Sequence, residues 1–475
     1  MYAAPLCWPK VTRGGAIVSA NALLILCYVF LGTMLPALVL YGIPRPTWDE
    51  AAVLSLAVVQ YSAFRISLLL SRGQDALLQY TFWMFVYIFL GMAPAAHALT
   101  GRYAWRQEHT SAEILFSLLL VIIGVAAYDA GRIVYSKLQS RTQDFPARRV
   151  IAPRNVQVLC AAAIVVASIG VFKAGGPAAV MITRDELAFM MESEAGSKAG
   201  LLIWTMMMRV PPFVALVLGA YILRHREQFS LSRMDTGILC LLVAALVPVN
   251  LVANFPPALP RYWLGTIVLA FVFIFVQRSR SVLISFFVSF AVLMAVIFPY
   301  TDLFRFSREG RGIEIQPAYE QMVLKGDYDA FQQTMNAAWY VDIKGVDYGK
   351  QMAGAALFWM PRSVWPDKPA GTGAMIGREL GQHFLNFSEP LWAEAYIAGG
   401  AIGIMLVFFL YGYGTAFLER ALYCTRSHKV LFTNVLVPVL AAFQMFLLRG
   451  DLMNGVAYST PVVLYMLAAT RRFAR

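Results

Sequence analysis

The sequence FWMPRSVWPDKP, residues 358–369, lies at the centre of a polar, aromatic-rich stretch that runs from about Thr301 to Glu394. Long apolar runs precede and follow this stretch. Of the 475 residues, 59% are hydrophobic and 14% are charged, whereas about a quarter of a typical soluble domain is charged. The composition therefore indicates a polytopic membrane protein in which this stretch forms one large hydrophilic loop.

Apolar runs long enough to cross a bilayer occupy most of the remaining chain. They lie near residues 16–41, 51–70, 76–98, 113–135, 155–173, 199–223, 236–254, 262–277, 281–299, 392–416, 430–448 and 452–470. We therefore predict an all-α polytopic membrane protein of about twelve transmembrane helices in one integral membrane domain, residues 1–475. Residues 300–391 are the predicted large loop between the ninth and tenth helices, and residues 174–198 form a smaller loop on the same side.

Basic residues gather on one side of these apolar runs. They follow the fourth, sixth, eighth and tenth runs and occur near both termini, as at Arg132, Arg224, Arg278, Arg426 and Arg471. The positive-inside rule places this side and both termini in the cytoplasm, and the large loop then faces outward, which in a bacterium is the periplasm. The net charge of +12 therefore reflects topology in a bacterial inner membrane, and we predict the lipid bilayer, not nucleic acid, as a partner.

The large loop has helical spacing of its own. Predicted helices cover Pro317–Asn336, Val346–Met360 and Ala374–Leu385. A loop of this length with its own helices is typical of a folded cap rather than a linker. Residues 327–329, Asp-Tyr-Asp, have the form found in nucleotide-sugar transferases, but those donors are cytoplasmic and the loop faces outward, so we set this motif aside.

Arg209 lies about ten residues into the sixth apolar run and is followed directly by Pro211 and Pro212. A guanidinium inside the bilayer is costly, so such residues commonly line a cavity and bind an anionic group. The structural alternatives are that carbonyls released by the two prolines, or a buried acid, satisfy Arg209, or that its side chain extends to the membrane surface. The sequence leaves both interpretations open.

Several further cations lie next to helix ends on the predicted outer side. They are Arg184, Arg261, Arg305, Arg362, Lys368 and Arg449. Arginine binds a diphosphate through paired N–H donors, so this set suits a polyprenyl-diphosphate substrate at the outer leaflet. Anchoring to lipid headgroups explains any single one of them. It explains less well an arginine that follows the Pro-rich hairpin 255–260, or one in the tight turn 449–451.

Glu394 and His383 are the candidate general bases for activating a sugar hydroxyl. Glu394 lies just inside the tenth apolar run, and His383 is the only histidine of the large loop. The alternatives are an ion pair between Glu394 and an arginine, and an ordinary polar contact for His383. None of the five cysteines lies in the large loop and no paired-cysteine spacing occurs, so we predict neither a metal nor a cofactor.

Several stretches of the sequence resemble the Wzy-type O-antigen polymerases, which join oligosaccharide repeat units. PRSVWPDKP, residues 361–369, is similar to a sequence motif of that family, and it is followed by Glu394 and then by two glycines at 399 and 400. Residues 254–263, which end in PRYW, and LRGD at residues 448–451 are also similar to family phrases. The order of predicted spans with one large, late outward loop resembles the same family over nearly the whole chain.

This resemblance implies a GT-C-like glycosyltransferase that takes a glycan from one undecaprenyl diphosphate and joins it to a repeat unit on another. It implies that Arg261 and Arg184 bind the diphosphate, and that Arg362 and Lys368 close the site. One of the two candidate bases would deprotonate the acceptor hydroxyl, with no metal and no nucleotide sugar involved. The implied partners are the undecaprenyl-diphosphate-linked oligosaccharide and a chain-length regulator protein.

Two other functions remain compatible with the sequence. An O-antigen ligase transfers finished glycan to lipid A-core and depends on a loop histidine and arginines, so His383 keeps this alternative open. A flippase or transporter of lipid-linked glycan also suits Arg209 and a positive outward surface. Transporters often show repeat symmetry between their halves, which this sequence lacks, and the phrase at 361–369 favours the polymerase.

Overall fold

The computed structural model describes residues 19–105, 109–139, 149–182, 198–276, 278–298, 316–324, 326–382 and 387–472. Within these ranges the chain is almost entirely helical, and nine helices are long and apolar enough to cross a membrane. Three shorter apolar helices occupy the positions of the remaining predicted spans. The prediction of an all-helical, multi-span membrane protein is therefore confirmed at this level, with one small two-stranded ribbon as an addition.

The helices fall into three groups along the chain. Those before the large loop are α1 Ala20–Leu40, α2 Glu50–Arg72, α3 Leu77–Thr100, α4 Ser111–Gln139, α5 Pro153–Lys173, α6 Pro177–Val180, α7 Lys198–Arg224, α8 Arg226–Phe229, α9 Arg233–Ala253, α10 Arg261–Phe275 and α11 Arg280–Ile297. Those within it are α12 Ala318–Leu324, α13 Ala330–Lys344, α14 Lys350–Ala356 and α15 Thr372–Glu379. Those after it are α16 Leu391–Thr425, α17 Thr433–Arg449 and α18 Leu452–Ala468. We call residues 316–324 and 326–382 the cap.

Polar side chains at the helix starts help to set these bounds. The Asp49 carboxylate accepts a hydrogen bond from the Ala52 N–H at 2.8 Å, and this caps α2. Ser232 and Ser279 cap α9 and α11 through their hydroxyl groups in the same way. At the other end of α2, Gly73 has a φ of 60°, a left-handed conformation that a glycine adopts without steric cost.

The two strands are far apart in the sequence. Strand β1, Arg149–Ile151, pairs antiparallel with β2, Thr470–Arg472. The ribbon is extended by a hydrogen bond from the Ala152 N–H to the Ala469 carbonyl at 2.9 Å. Sequence analysis predicted no strand, because each is only three residues long and each lacks a partner nearby in the chain.

Helix α3 is the centre of the bundle, and its most apolar window is completely buried inside the protein. A column of aromatic rings follows one side of it. Phe82 stacks on Tyr128 of α4 with ring centroids 3.6 Å apart, and Phe85 lies 6.1 Å from Trp392 of α16. At the cap end, Phe89 stacks on Tyr328 at 5.5 Å. The cap is therefore packed directly on the central helix.

Helices α4 and α16 approach each other so closely that glycine is required at their contact. A Cβ atom at Gly412 would lie 2.0 Å from the Tyr128 carbonyl oxygen, and one at Gly131 would lie 2.0 Å from the Phe409 carbonyl oxygen. Small residues of this kind allow membrane helices to pack backbone against backbone. By contrast, Gly414, two residues further along α16, has open space beside it.

We expect Gly412→Val to destabilise the protein, because the two backbones must separate to admit the side chain. Overpacking of this kind costs about 1–3 kcal/mol or more. Gly414→Val is the matched control, since it changes helix propensity in the same helix without a steric conflict. The measurement is the thermal unfolding of both purified variants in detergent. Equal melting temperatures for the two variants would contradict the close approach of α4 and α16.

The cap contains four helices where the spacing predicted three. The helix predicted over Pro317–Asn336 is broken at residues 326–329, so that α12 and α13 are separate. At the break, a Cβ atom on Gly326 would lie 2.7 Å from the Trp105 ring. Tyr328 is buried there, and its hydroxyl donates to the Met294 carbonyl of α11. We call residues 326–329 the docking turn. Its burial between membrane helices, rather than local propensity, explains the break.

The other cap helices lie over the ends of α16 and α18. Helix α13 packs on α16 and α4, and α14 packs on α18 and α16. Helix α14 replaces the longer helix predicted over Val346–Met360, and α15 replaces the one predicted over Ala374–Leu385. Helix α16 is 35 residues long and is kinked at Gly399 and Gly400, where Gly400 has a φ of 61°. The kink lies close beneath the cap.

Candidate functional site

Arg449, at the end of α17, holds the docking turn in place. Its Nη2 lies 2.6 Å from Asp329 Oδ1 and also donates to the Gly326 carbonyl, while its Nε donates to the Asp327 carbonyl at 3.0 Å. The guanidinium lies over the Tyr262 ring, 5.3 Å from its centroid. Only 6% of Arg449 is exposed. The N–H donors of Arg449 are therefore directed at protein groups. Binding of a diphosphate by Arg449 stays a prediction.

Arg261 is the first residue of α10, directly after the hairpin that ends at Pro260. Its Nη1 forms an ion pair with Asp327 of the docking turn, and its guanidinium lies 5.6 Å from the centroid of the Phe298 ring. The Arg261 side chain is 11% exposed. Arg261 and Arg449 thus both bind the Asp-Tyr-Asp motif that sequence analysis had set aside.

Asp329 is buried and receives three hydrogen bonds. Besides the bond from Arg449, it accepts from Trp105 Nε1 at 2.7 Å and from Gln333 Nε2 at 2.9 Å, both on Oδ2. Burial raises the pKa of Asp329, and the neighbouring Arg449 and these hydrogen bonds offset part of that rise. The carboxyl group is held entirely by the protein, which indicates that it anchors the cap.

Glu394 lies in the first turn of α16 and is 1% exposed. Its Oε2 accepts a hydrogen bond from the Thr372 hydroxyl at 2.7 Å, and its Oε1 accepts one from the Leu452 N–H at 2.9 Å. Glu394 therefore connects α16 to the cap and to the start of α18. Both of its oxygens have a protein partner, and the ion pair with an arginine that sequence analysis weighed is not formed among the described residues.

Asp451, between α17 and α18, fixes the same part of the cap. Its Oδ1 accepts from the Met453 N–H at 3.0 Å and so caps α18, while its Oδ2 accepts from the Gly373 N–H at 3.3 Å. A Cβ atom on Gly371 would lie 2.6 Å from Asp451 Oδ2, so a larger residue there would displace the Asp451 carboxylate. Burial raises the pKa of Asp451, and hydrogen bonds from backbone amides partly offset this effect.

Glu389 is the functional candidate that sequence analysis missed. It is fully buried just before α16, and neither of its side-chain oxygens has a hydrogen-bond partner among the described residues. Burial raises the pKa of Glu389 well above its usual value, and the charges of Glu394, Asp329 and Asp451 raise it further against the opposing effect of Arg449. The available signal was weak, namely an acidic residue followed by the proline that starts an apolar helix.

Arg362 and Lys368 fold the stretch at 358–369 onto itself. Lys368 Nζ donates to the Phe358 carbonyl and to the Met360 carbonyl, the latter at 3.0 Å, and Arg362 Nη1 donates to the Lys368 carbonyl at 2.7 Å. Burial and the nearby Arg362 lower the pKa of Lys368. Lys368 is 7% exposed, whereas Arg362 is exposed to solvent. Of this pair, Arg362 is the side chain that a ligand reaches without unfolding the loop.

Arg209 lies apart from the docking turn, against the Pro-rich hairpin. It is 5% exposed, and its Nη2 donates to the Ala258 carbonyl at 3.2 Å. Asn254 donates to the Arg209 carbonyl at 3.0 Å and accepts from Trp263 Nε1 at 2.9 Å. Arg209 forms no ion pair with a described carboxylate, and the carbonyl it contacts belongs to the hairpin rather than to its own proline-containing helix.

The three remaining predicted residues, Arg184, Arg305 and His383, lie outside the described residues, and their assignments stay predictions. The structure brings together Arg261 and Arg449 at the docking turn, with Glu389 electrostatically coupled to Arg449 and Glu394. Arg362 and Lys368 lie on the loop after α14, and Arg209 lies on α7. Among the described side chains, no three His, Cys, Asp or Glu residues are arranged to hold a metal ion.

The buried carboxyls predict a specific dependence of stability on pH. The pKa values of Asp329, Glu389 and Asp451 are all raised by burial, so the folded protein binds more protons than the unfolded chain. Their contribution to stability is present below the unfolded values of about 4 and is lost as pH rises through the folded values. We expect the melting temperature in detergent to fall as the pH rises above these unfolded values, and Glu389→Gln to weaken this fall. A melting temperature that rises with pH above about 4 would contradict the raised pKa values of these carboxyls.

The fold and this site define a class of protein, a multi-span helical membrane protein in which a buried ion pair fixes a helical cap close to a group of buried carboxyls. No protein-family model, curated protein or solved structure matches the chain. The chemistry of the site is therefore the basis for inferring a function.

Proposed function

We propose that this protein is a glycosyltransferase that polymerises lipid-linked oligosaccharide repeat units at the periplasmic face of a bacterial inner membrane. It transfers a glycan from undecaprenyl diphosphate to the repeat unit carried by a second undecaprenyl diphosphate. The product is the polymer of an O-antigen or a related surface polysaccharide. In this proposal both termini are cytoplasmic and the cap is periplasmic.

One observation carries this proposal: Arg261 and Arg449 both bind the docking turn of the cap, which is packed on an apolar helix bundle. The carboxyls of Glu389 and Glu394 are buried nearby, since the charges of Arg449 and Glu394 both act on Glu389. A lipid-linked glycan has an apolar chain, an anionic diphosphate and sugar hydroxyls, in that order. The bundle suits the chain, an arginine at a helix start suits the diphosphate, and a carboxyl suits deprotonation of a hydroxyl.

Arg261 is the arginine best placed to exchange partners. Its carboxylate partner, Asp327, is 25% exposed, whereas Asp329, the partner of Arg449, is 2% exposed. A diphosphate carries more negative charge than a carboxylate, so replacing Asp327 by diphosphate keeps the guanidinium paired. Arg449 cannot exchange its partner in this way, because its release would leave the buried Asp329 carboxylate without a counter-ion. We therefore assign diphosphate binding to Arg261 and anchoring of the cap to Arg449.

The decisive experiment uses purified protein in lipid vesicles with no other protein. The substrate is the pool of undecaprenyl-diphosphate-linked oligosaccharide extracted from cells in which this gene is deleted, because a polymerase's substrate accumulates in its absence. We expect a ladder of longer lipid-linked glycans and release of undecaprenyl diphosphate. Glycan transfer only after addition of lipid A-core would identify a ligase instead, and movement of unchanged single units across the vesicle membrane would identify a transporter.

A further inference from the structure

Two glutamates lie at the start of α16, and they differ in how their oxygens are used. Both oxygens of Glu394 accept hydrogen bonds, from Thr372 and from the Leu452 amide. Neither oxygen of Glu389 has a partner among the described residues, although the side chain is fully buried. A general base needs a free lone pair directed at the hydroxyl that it deprotonates. On this ground Glu389 is better suited to proton transfer than Glu394.

The charged groups around Glu389 come from three parts of the fold, and each of them is hydrogen-bonded or ion-paired to another protein group. Glu394 belongs to α16, Asp329 precedes α13, and Arg449 and Asp451 lie at the junction of α17 and α18. Asp329 and Arg449 bind each other, and Asp451 accepts hydrogen bonds from backbone amides. Glu389 is thus the member of this group that lacks a hydrogen bond in the described structure.

Folded proteins rarely leave a buried polar group without a partner, and those that remain are commonly found where a ligand binds. A sugar hydroxyl would supply the missing hydrogen bond to Glu389. Burial raises the pKa of Glu389, and a carboxylate of raised pKa is a stronger proton acceptor. Full burial requires that the acceptor sugar enters beneath the cap before transfer.

We propose that Glu389 is the catalytic carboxyl that accepts the proton of the acceptor hydroxyl, and that Glu394 is a positioning residue that fixes the cap through Thr372. This inference rests on the proposed function. As the acceptor oxygen forms its bond to the anomeric carbon of the donor glycan, the bond from that carbon to the diphosphate oxygen breaks. The bonding electrons leave with the diphosphate, and the hydroxyl proton passes to Glu389, which later releases it to water.

The test compares Glu389→Gln with Glu394→Gln in the vesicle assay described above. Glutamine keeps the size of Glu389 and removes its ability to accept a proton. We expect Glu389→Gln to lower the turnover number about 100-fold or more while leaving KM within about threefold, because general base catalysis contributes at least this factor. Glu389→Asp is expected to recover part of the activity, since it restores a carboxyl group at a longer distance.

The matched control is Glu379→Gln. Glu379 lies in α15 of the cap and pairs with Lys344 at 2.8 Å. Its side chain is 37% exposed, in contrast to the buried Glu389. We expect this variant to retain wild-type activity. Melting temperatures of all variants show whether each is folded, and Glu389→Gln is expected to be at least as stable as the wild type because it removes a buried ionisable group.

The pH profile separates catalysis from a structural role. Wild-type turnover is expected to rise with pH as Glu389 loses its proton, and the residual turnover of Glu389→Gln is expected to lack this rise. Wild-type turnover in a folded Glu389→Gln variant overturns the inference and leaves the proposed function intact. Absence of polymer from the wild-type protein overturns the proposed function itself.

Discussion

Replacing Arg449 with alanine is expected to lower the free energy of unfolding by about 3–5 kcal/mol. The side chain is almost fully buried and contacts the docking turn through Asp329 and two backbone carbonyls. Its removal leaves the Asp329 carboxylate buried without its counter-ion, beside Glu389, which is already unfavourably placed. The measurement is thermal or denaturant unfolding of the purified protein in detergent, together with the sensitivity of the cap to added protease.

The matched control for this prediction is Arg102→Ala. Arg102 also links the bundle to the cap, through a 3.3 Å ion pair with Glu320, but its side chain is 52% exposed. An exposed pair contributes about 0–1 kcal/mol, so this variant should resemble the wild type. The double variant Arg449→Met with Asp329→Asn removes both buried charges and should be more stable than Arg449→Ala. Equal stability of the Arg102 and Arg449 variants would show that burial of the Arg449–Asp329 pair does not increase the free energy of unfolding.

Replacing Arg261 with alanine is expected to reduce polymer formation by about 10- to 100-fold while the protein remains folded in the membrane. The expected loss corresponds to the charge-assisted hydrogen bonds that a guanidinium donates to a diphosphate. Lysine at this position should recover part of the activity, because it keeps the charge and loses the paired N–H geometry. The measurement is the chain-length distribution of the glycans, in cells and in the vesicle assay.

Asp327→Asn distinguishes the two roles that Arg261 has in this interpretation. If Arg261 acts only by pairing with Asp327 of the docking turn, the Asp327 variant should lose as much polymer as Arg261→Ala. If Arg261 binds diphosphate, removing its competing carboxylate should leave polymer formation within about threefold of the wild type, since the ion pair is partly exposed. A normal ladder of chain lengths from Arg261→Ala would contradict the assignment.

Much of the helical architecture follows from apolar run length, because a segment that spans a bilayer must satisfy its backbone hydrogen bonds internally. The predicted span near 236–254 corresponds to Arg233–Ala253, and that near 281–299 corresponds to Arg280–Ile297. The Pro-rich hairpin correctly predicted Arg261 at a helix start. These features are local, and local sequence determines them.

The cap and the cluster of buried carboxyls depend on contacts between residues that are distant in sequence. The docking turn interrupts a helical pattern because Tyr328 is buried against α3 and α11 and because Arg449, more than a hundred residues later, binds it. Likewise, the sequence favoured Glu394, inside the tenth apolar run, over Glu389, which precedes the helix. The positions of Thr372 and Leu452 give Glu394 its partners, whereas Glu389 has none among the residues that the structure describes.

The β1–β2 ribbon has a consequence for the order in which the protein is assembled during translation. Its strands are separated by more than three hundred residues, as the 2.9 Å hydrogen bond from Arg149 to the Thr470 hydroxyl illustrates. At about 5–20 residues per second, β1 leaves the ribosome well before β2, and the membrane helices between them, together with the cap, are made in the interval. Strand β1 must therefore wait until β2 has been synthesised, and closure of the ribbon is a late step in biosynthesis.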